Sequence, residues 1–108
     1  MNEFIHHLQD VFRQFGPIEV RRMFGGYGVY HDGLMFGLVS DETLYLKADD
    51  GNAAHFRELQ LPQFEYLRRG KPTRLSYYRA PDVVMEDLSE AAVWARRSFD
   101  AALRGRRK

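Results

Sequence analysis

Phe4, Ile5, Leu8, Val11, Phe12 and Phe15 recur at i, i+3, i+4 and i+7, the spacing of a helix that buries one stripe. Asn2 is placed to cap this helix and Gly16-Pro17 to end it. From Ile18 to Ala48 the pattern shortens to strand-like runs broken by glycine, which predicts three strands. Asp32-Gly33 between two apolar runs suits a two-residue type I′ turn, and Ser40-Asp41-Glu42-Thr43 reads as a second turn. Asp49 or Asp50 then opens a short helix through Ala53, Phe56 and Leu59 that ends before Pro62. Residues 64–68 and 74–79 predict another hairpin, turning around Gly70-Lys71-Pro72. Pro81 begins a loop. Asp87 and Glu90 form a capping-box pair ahead of a last helix whose stripe is Leu88, Ala91, Ala92, Ala95, Phe99, Ala102 and Leu103.

The resulting order is α-β(3)-α-β(2)-α. Strands joined by tight turns make an antiparallel sheet, and the helices collect on one face of it. The expected fold is α+β, a two-layer sandwich on a five-stranded sheet, with one domain over residues 1–103 and a basic tail over 104–108. Extending the register from the two turns pairs Val29 with Phe36 and Gly28 with Gly37. One face then carries Gly28, Tyr30, Met35, Gly37, Val39, Leu44, Leu46 and Ala48, and is the expected helix-covered core. The other carries Val29, His31, Leu34, Phe36, Leu38, Thr43, Tyr45 and Lys47; it is too apolar for water, and Val29, Leu34, Phe36, Leu38 and Tyr45 on it are the expected interaction face for a protein partner or a second copy of the chain.

With 108 residues, 44% hydrophobic and without cysteine, the chain fits one globular domain and excludes disulfides, cysteine-ligated metals and thiol nucleophiles. No apolar run is long enough to span a membrane and no signal-peptide layout opens the chain, so a cytoplasmic location is expected. The net charge of +1 conceals an uneven distribution. Arg104, Arg106, Arg107 and Lys108 crowd the end, and setting them aside leaves 12 cations against 15 acids, a formal −3. Between Tyr66 and Pro81 the cations Arg68, Arg69, Lys71, Arg74 and Arg79 occur without an acid; with Lys47 they are the candidate anion contacts. Weak, non-specific nucleic-acid contact is expected of the tail.

Candidate chemistry is thin. His6, His7, His31 and His55 read as surface histidines with no acid at ligand spacing beside them, and no residues present themselves as catalytic, metal-binding or cofactor-binding. The serines lie in no nucleophile-elbow context. Phe24-Gly25-Gly26-Tyr27-Gly28 has neither phosphate-loop spacing nor a following helix and reads as a glycine-rich strand connection. Six tyrosines on or beside predicted strands, near cations, leave open a stacking platform for single-stranded nucleic acid.

The run Arg21-Arg22-Met23-Phe24-Gly25-Gly26-Tyr27-Gly28-Val29-Tyr30, with Asp32-Gly33, Met35-Phe36-Gly37 and Leu44-Tyr45-Leu46-Lys47, resembles the TfoX/Sxy N-terminal domain. Phe56, Pro62, Phe64, Tyr66, Ser76-Tyr77-Tyr78, Pro81 and Trp94-Ala95 extend the resemblance along nearly the whole chain. It implies a small α+β sandwich like that of secretion chaperones and no catalytic residues. It also implies regulators of natural competence that act with the cyclic-AMP receptor protein. Those regulators carry a further helical domain, before which this sequence ends. The expected function is a non-enzymatic regulatory, protein-interaction module. The alternative is a nucleic-acid-binding domain using the Tyr/Arg-rich sheet and the basic tail.

Overall fold

A computed structural model describes residues 3–23 and 25–106. Helix α1 (Glu3–Val11) leads into strands β1 (Glu19–Met23), β2 (Gly26–His31), β3 (Leu34–Ser40) and β4 (Thr43–Lys47). Helix α2 (Ala53–Glu58), strands β5 (Gln63–Arg68) and β6 (Lys71–Arg79), a one-turn helix α3 (Val83–Glu86) and the long α4 (Leu88–Arg106) follow. The α+β class holds, but the sheet has six antiparallel strands in the order β1-β2-β3-β4-β6-β5, rather than five. The extra strand arises because a turn at Gly25 divides the first predicted strand in two. The expected loop after Pro81 contains α3. The predicted cap Asn2 lies outside the described residues.

Turn chemistry sets three hairpins. Asp32 and Gly33 have φ of 49° and 78°, Asp41 and Glu42 52° and 54°, and Arg69 and Gly70 53° and 78°, the double positive φ that type I′ turns need. The third hairpin therefore turns one residue earlier than expected, with Arg68 opposite Lys71. Helix α1 ends at Val11, and Phe12–Phe15 form a turn in which the Gly16 N–H donates to the Phe12 carbonyl at 3.0 Å. Asp87 caps α4, its Oδ1 accepting from the N–H groups of Ser89 (2.9 Å) and Glu90 (3.1 Å). These bonds and the Ser89 hydroxyl hold its carboxyl below the usual range, the hydroxyl contributing most.

The register from the turns holds for His31–Leu34 and Tyr30–Met35, then slips: Val29 faces Gly37 and Gly28 faces Leu38. Phe36 is therefore the extra residue of a β-bulge, which sets it and Gly37 on the same side of the sheet. Phe36 packs edge-on against Phe12 at 5.5 Å, and a side chain at Gly37 would meet Val29 and Leu44. The core beneath the helices thus contains Val29, Phe36, Val39, Leu44 and Leu46 with Ile5, Leu8, Phe12, Trp94 and Phe99. Phe56 stacks on Tyr78 and meets Trp94 edge-on, tying α2 to β6 and α4. Val29 and Phe36 are fully buried within the chain, and Leu34 packs against the same core. The expected interaction face is thereby split: only Leu38 and Tyr45 belong to the side away from the helices.

Candidate functional site

The glycine block of the sequence builds the first corner of this helix-free side. Gly25 has φ of +67°, and Gly26 pairs with both Met23 and Ser40. A Cβ at Gly26 would lie 1.9 Å from the Val39 carbonyl oxygen, so only glycine lets β2 pass β3 there. Arg21 and Arg22 precede the turn on β1, while Phe24 lies outside the described residues. Gly28 faces the helix-free side, where Met23, Tyr30 and Met35 would crowd a Cβ. Arg21 lies over the Tyr30 ring at 4.6 Å and pairs with Glu19 at 2.8 Å.

The second corner is the β5–β6 hairpin. β1 and β5 are the two edges of the sheet, yet both reach one groove, because the sheet curls across β3. Met23 and Tyr27 line it from one end, Leu38, Val39 and Ser40 form the middle, and Phe64, Tyr66 and Leu75 come from the hairpin. The groove has a volume of ≈ 250 Å³. Leu38 is buried under the hairpin, whereas Met23 and Tyr66 are exposed at the rim. Tyr45 meets Phe64 edge-on at 4.9 Å, and Phe64 stacks on Tyr66 at 6.2 Å.

The tyrosine rings of this side are largely engaged by the protein itself. Lys47 lies over Tyr77 at 5.2 Å, and burial, with Tyr30 nearby, pushes the Tyr77 hydroxyl up to about 12. Tyr78, its neighbour in sequence, points to the opposite side and joins the core. Of the candidate anion contacts, Arg74 pairs with Glu65 at 3.1 Å and Arg79 with Asp82 at 3.8 Å. Lys47, Arg68, Arg69 and Lys71 have no acidic partner among the described residues. The expected tail is not separate at its start: Arg104, Gly105 and Arg106 continue α4, and Arg107 and Lys108 lie outside the described residues. Gly33 stands in the β2–β3 turn.

Two of the histidines depart from the surface reading. His31 is sandwiched between Phe15 (4.5 Å) and Phe99 (4.9 Å), its Nδ1 2.7 Å from the Pro17 carbonyl oxygen. His55 is half-buried against Trp94 at 6.1 Å. His6 and His7 share an exposed face of α1 with Glu3 and Asp10, which corrects the expectation that no acid lies at ligand spacing beside them. No group of three or more metal-ligating side chains converges among the described residues. No helix among them is long and apolar enough to cross a membrane.

Comparison with known proteins gives a consistent result. The model of the TfoX N-terminal domain matches residues 10–102. Protein Sxy of Escherichia coli (strain K12) is 30% identical over 100 residues, which is 93% of this chain and 48% of that protein. DNA transformation protein TfoX1 of Aliivibrio fischeri (strain ATCC 700601 / ES114) is 32% identical over 76 residues, 67% of this chain and 36% of that protein. The chain spans at most about half the length of these curated relatives.

Proposed function

Because the chain belongs to the TfoX N-terminal domain family, we propose that it is a non-enzymatic regulatory module that binds a protein partner and serves DNA transformation or its transcriptional control. The single observation that carries the binding role is the apolar groove on the helix-free side, bounded by Met23, Leu38 and Tyr66. An open apolar depression with exposed apolar rim residues has the composition of a protein-recognition surface. The alternative, base stacking on the tyrosines, draws less support. Arg21 lies over Tyr30, Lys47 over Tyr77, and Phe64 stacks on Tyr66 while Tyr45 meets it edge-on.

The test is complementation. A host strain lacking this protein is supplied with the wild-type chain or with Met23→Glu/Tyr66→Glu, and DNA uptake and transcript levels are measured. Both substitutions are at exposed positions, so the variant folds, as circular dichroism verifies. Wild type restores the phenotype and the variant does not. Equal restoration by both overturns the proposal.

A further inference from the structure

We infer that the groove receives an acidic segment of a partner protein anchored by apolar side chains, an inference that rests on the protein-binding reading above. The floor and walls, Leu38, Leu75, Phe64 and Met23, supply aliphatic and aromatic contact for apolar anchors. The unpaired charge around them is mostly positive. Lys47 covers Tyr77 on the same side of the sheet. Arg68 and Lys71 are paired across the hairpin end, and strand alternation puts Arg68 on the side of groove-lining Tyr66. Arg69 completes the hairpin tip.

None of these four cations has an acidic partner among the described residues. The acids beside them are committed: Glu19 to Arg21 and Glu65 to Arg74. Asp41 and Glu42, in the turn after groove-lining Ser40, are outnumbered two to one by these four cations. Such a rim steers an acidic ligand and rejects a basic one. The engaged ring faces favour a peptide over a nucleic acid as its source.

The experiment pans a random dodecapeptide display library on the full chain, with counter-selection on Met23→Glu/Tyr66→Glu. The recovered peptides are expected to carry Leu, Phe or Trp flanked by Asp or Glu. The best of them, labelled with fluorescein, should bind with an affinity that falls about tenfold or more in Arg68→Gln/Lys71→Gln and weakens with added salt. The hairpin-tip residues are exposed, so this second variant reports on charge in a folded protein. Enrichment of neutral or basic peptides, or no enrichment sensitive to the groove variant, overturns the inference. So does tighter binding of a fluorescein-labelled oligothymidylate, or a dimer of the chain that the groove variant dissociates. If complementation still needs Met23 and Tyr66 while the recovered peptides are not acidic, the regulatory reading stands and the partner chemistry alone fails.

Discussion

Arg104, near the end of α4, grips Asp49, just beyond β4, through two hydrogen bonds: Nε to Oδ2 at 2.6 Å and a second guanidinium nitrogen to Oδ1 at 2.7 Å. Asp49 Oδ1 also accepts from the Gly51 N–H at 2.8 Å. The fork fastens the last helix to the loop that opens α2. A side chain on Gly51 would run into the guanidinium. The bond to Arg104 is the chief reason that the Asp49 carboxyl sits below its ordinary value.

Arg104→Ala is expected to cost about 1 kcal/mol, the upper range for a bidentate pair that solvent partly screens. Asp49 is more acidic folded than unfolded, so its contribution is present above the unfolded value of about 3.9 and fades as pH falls through the lower folded one. Urea denaturation at pH 7 and pH 3 checks both points. The difference between wild type and variant should shrink at the lower pH.

Gly26 and Gly28 should respond differently to the same change. At Gly26 the obstacle to a Cβ is the Val39 carbonyl, part of the backbone, whereas at Gly28 it is the ends of Met23, Tyr30 and Met35. Gly26→Ala is expected to destabilise by roughly 3 kcal/mol or more, and Gly28→Ala by about 1 or less. Thermal denaturation followed by circular dichroism ranks the two.

The Ser98 hydroxyl is fully buried in α4, and among the described residues its Oγ finds no hydrogen-bond partner. Ser98→Ala removes an unsatisfied polar atom without altering the backbone, so a gain of about 1 kcal/mol is expected. Chemical denaturation should show a higher midpoint at an unchanged slope.

Tyr77 is held neutral to about 12 by burial, above the ordinary phenol value of 10.0. The unfolded chain ionises first, so this residue's contribution is whole below pH 10 and is lost as the pH rises towards 12. The loss amounts to about 2 kcal/mol. Tyr77→Phe should lack this part of the alkaline decline, and absorbance at about 295 nm should show one tyrosine of the wild type titrating late.

Much of the fold is legible because its turns announce themselves locally. Asp32-Gly33, Asp41-Glu42 and the Asp87 cap each act through neighbouring backbone, and each appears where the sequence places it. The misassigned face traces to one residue. Alternation assumes one residue per step, and the bulge at Phe36 breaks that count, sending Val29, Leu34 and Phe36 to the core. Arg104 was unreadable as a loop anchor because its partner is 55 positions away. The groove combines Met23 with Phe64 and Tyr66, from opposite ends of the sheet order, so no local pattern could join them. The glycine block reads as a strand connection, and Gly25, with φ of 67°, stands in the turn between β1 and β2; the close crossing at Gly26 depends on the distant Val39 and is not written locally.

The curl of the sheet has a consequence for how the molecule behaves in a crowd. Unpaired strand edges invite other chains to extend a sheet, and a flat six-stranded sheet would offer two of them pointing away from each other. Here β1 and β5 bend toward a common groove, with Arg22 on one and Arg68 on the other. Neither edge is a straight, uniformly apolar ladder: β1 carries Arg21 and Arg22, and β5 carries Glu65 and Arg68. Charge on the edges and a curled sheet are devices that discourage edge-to-edge growth without a barrel's closure.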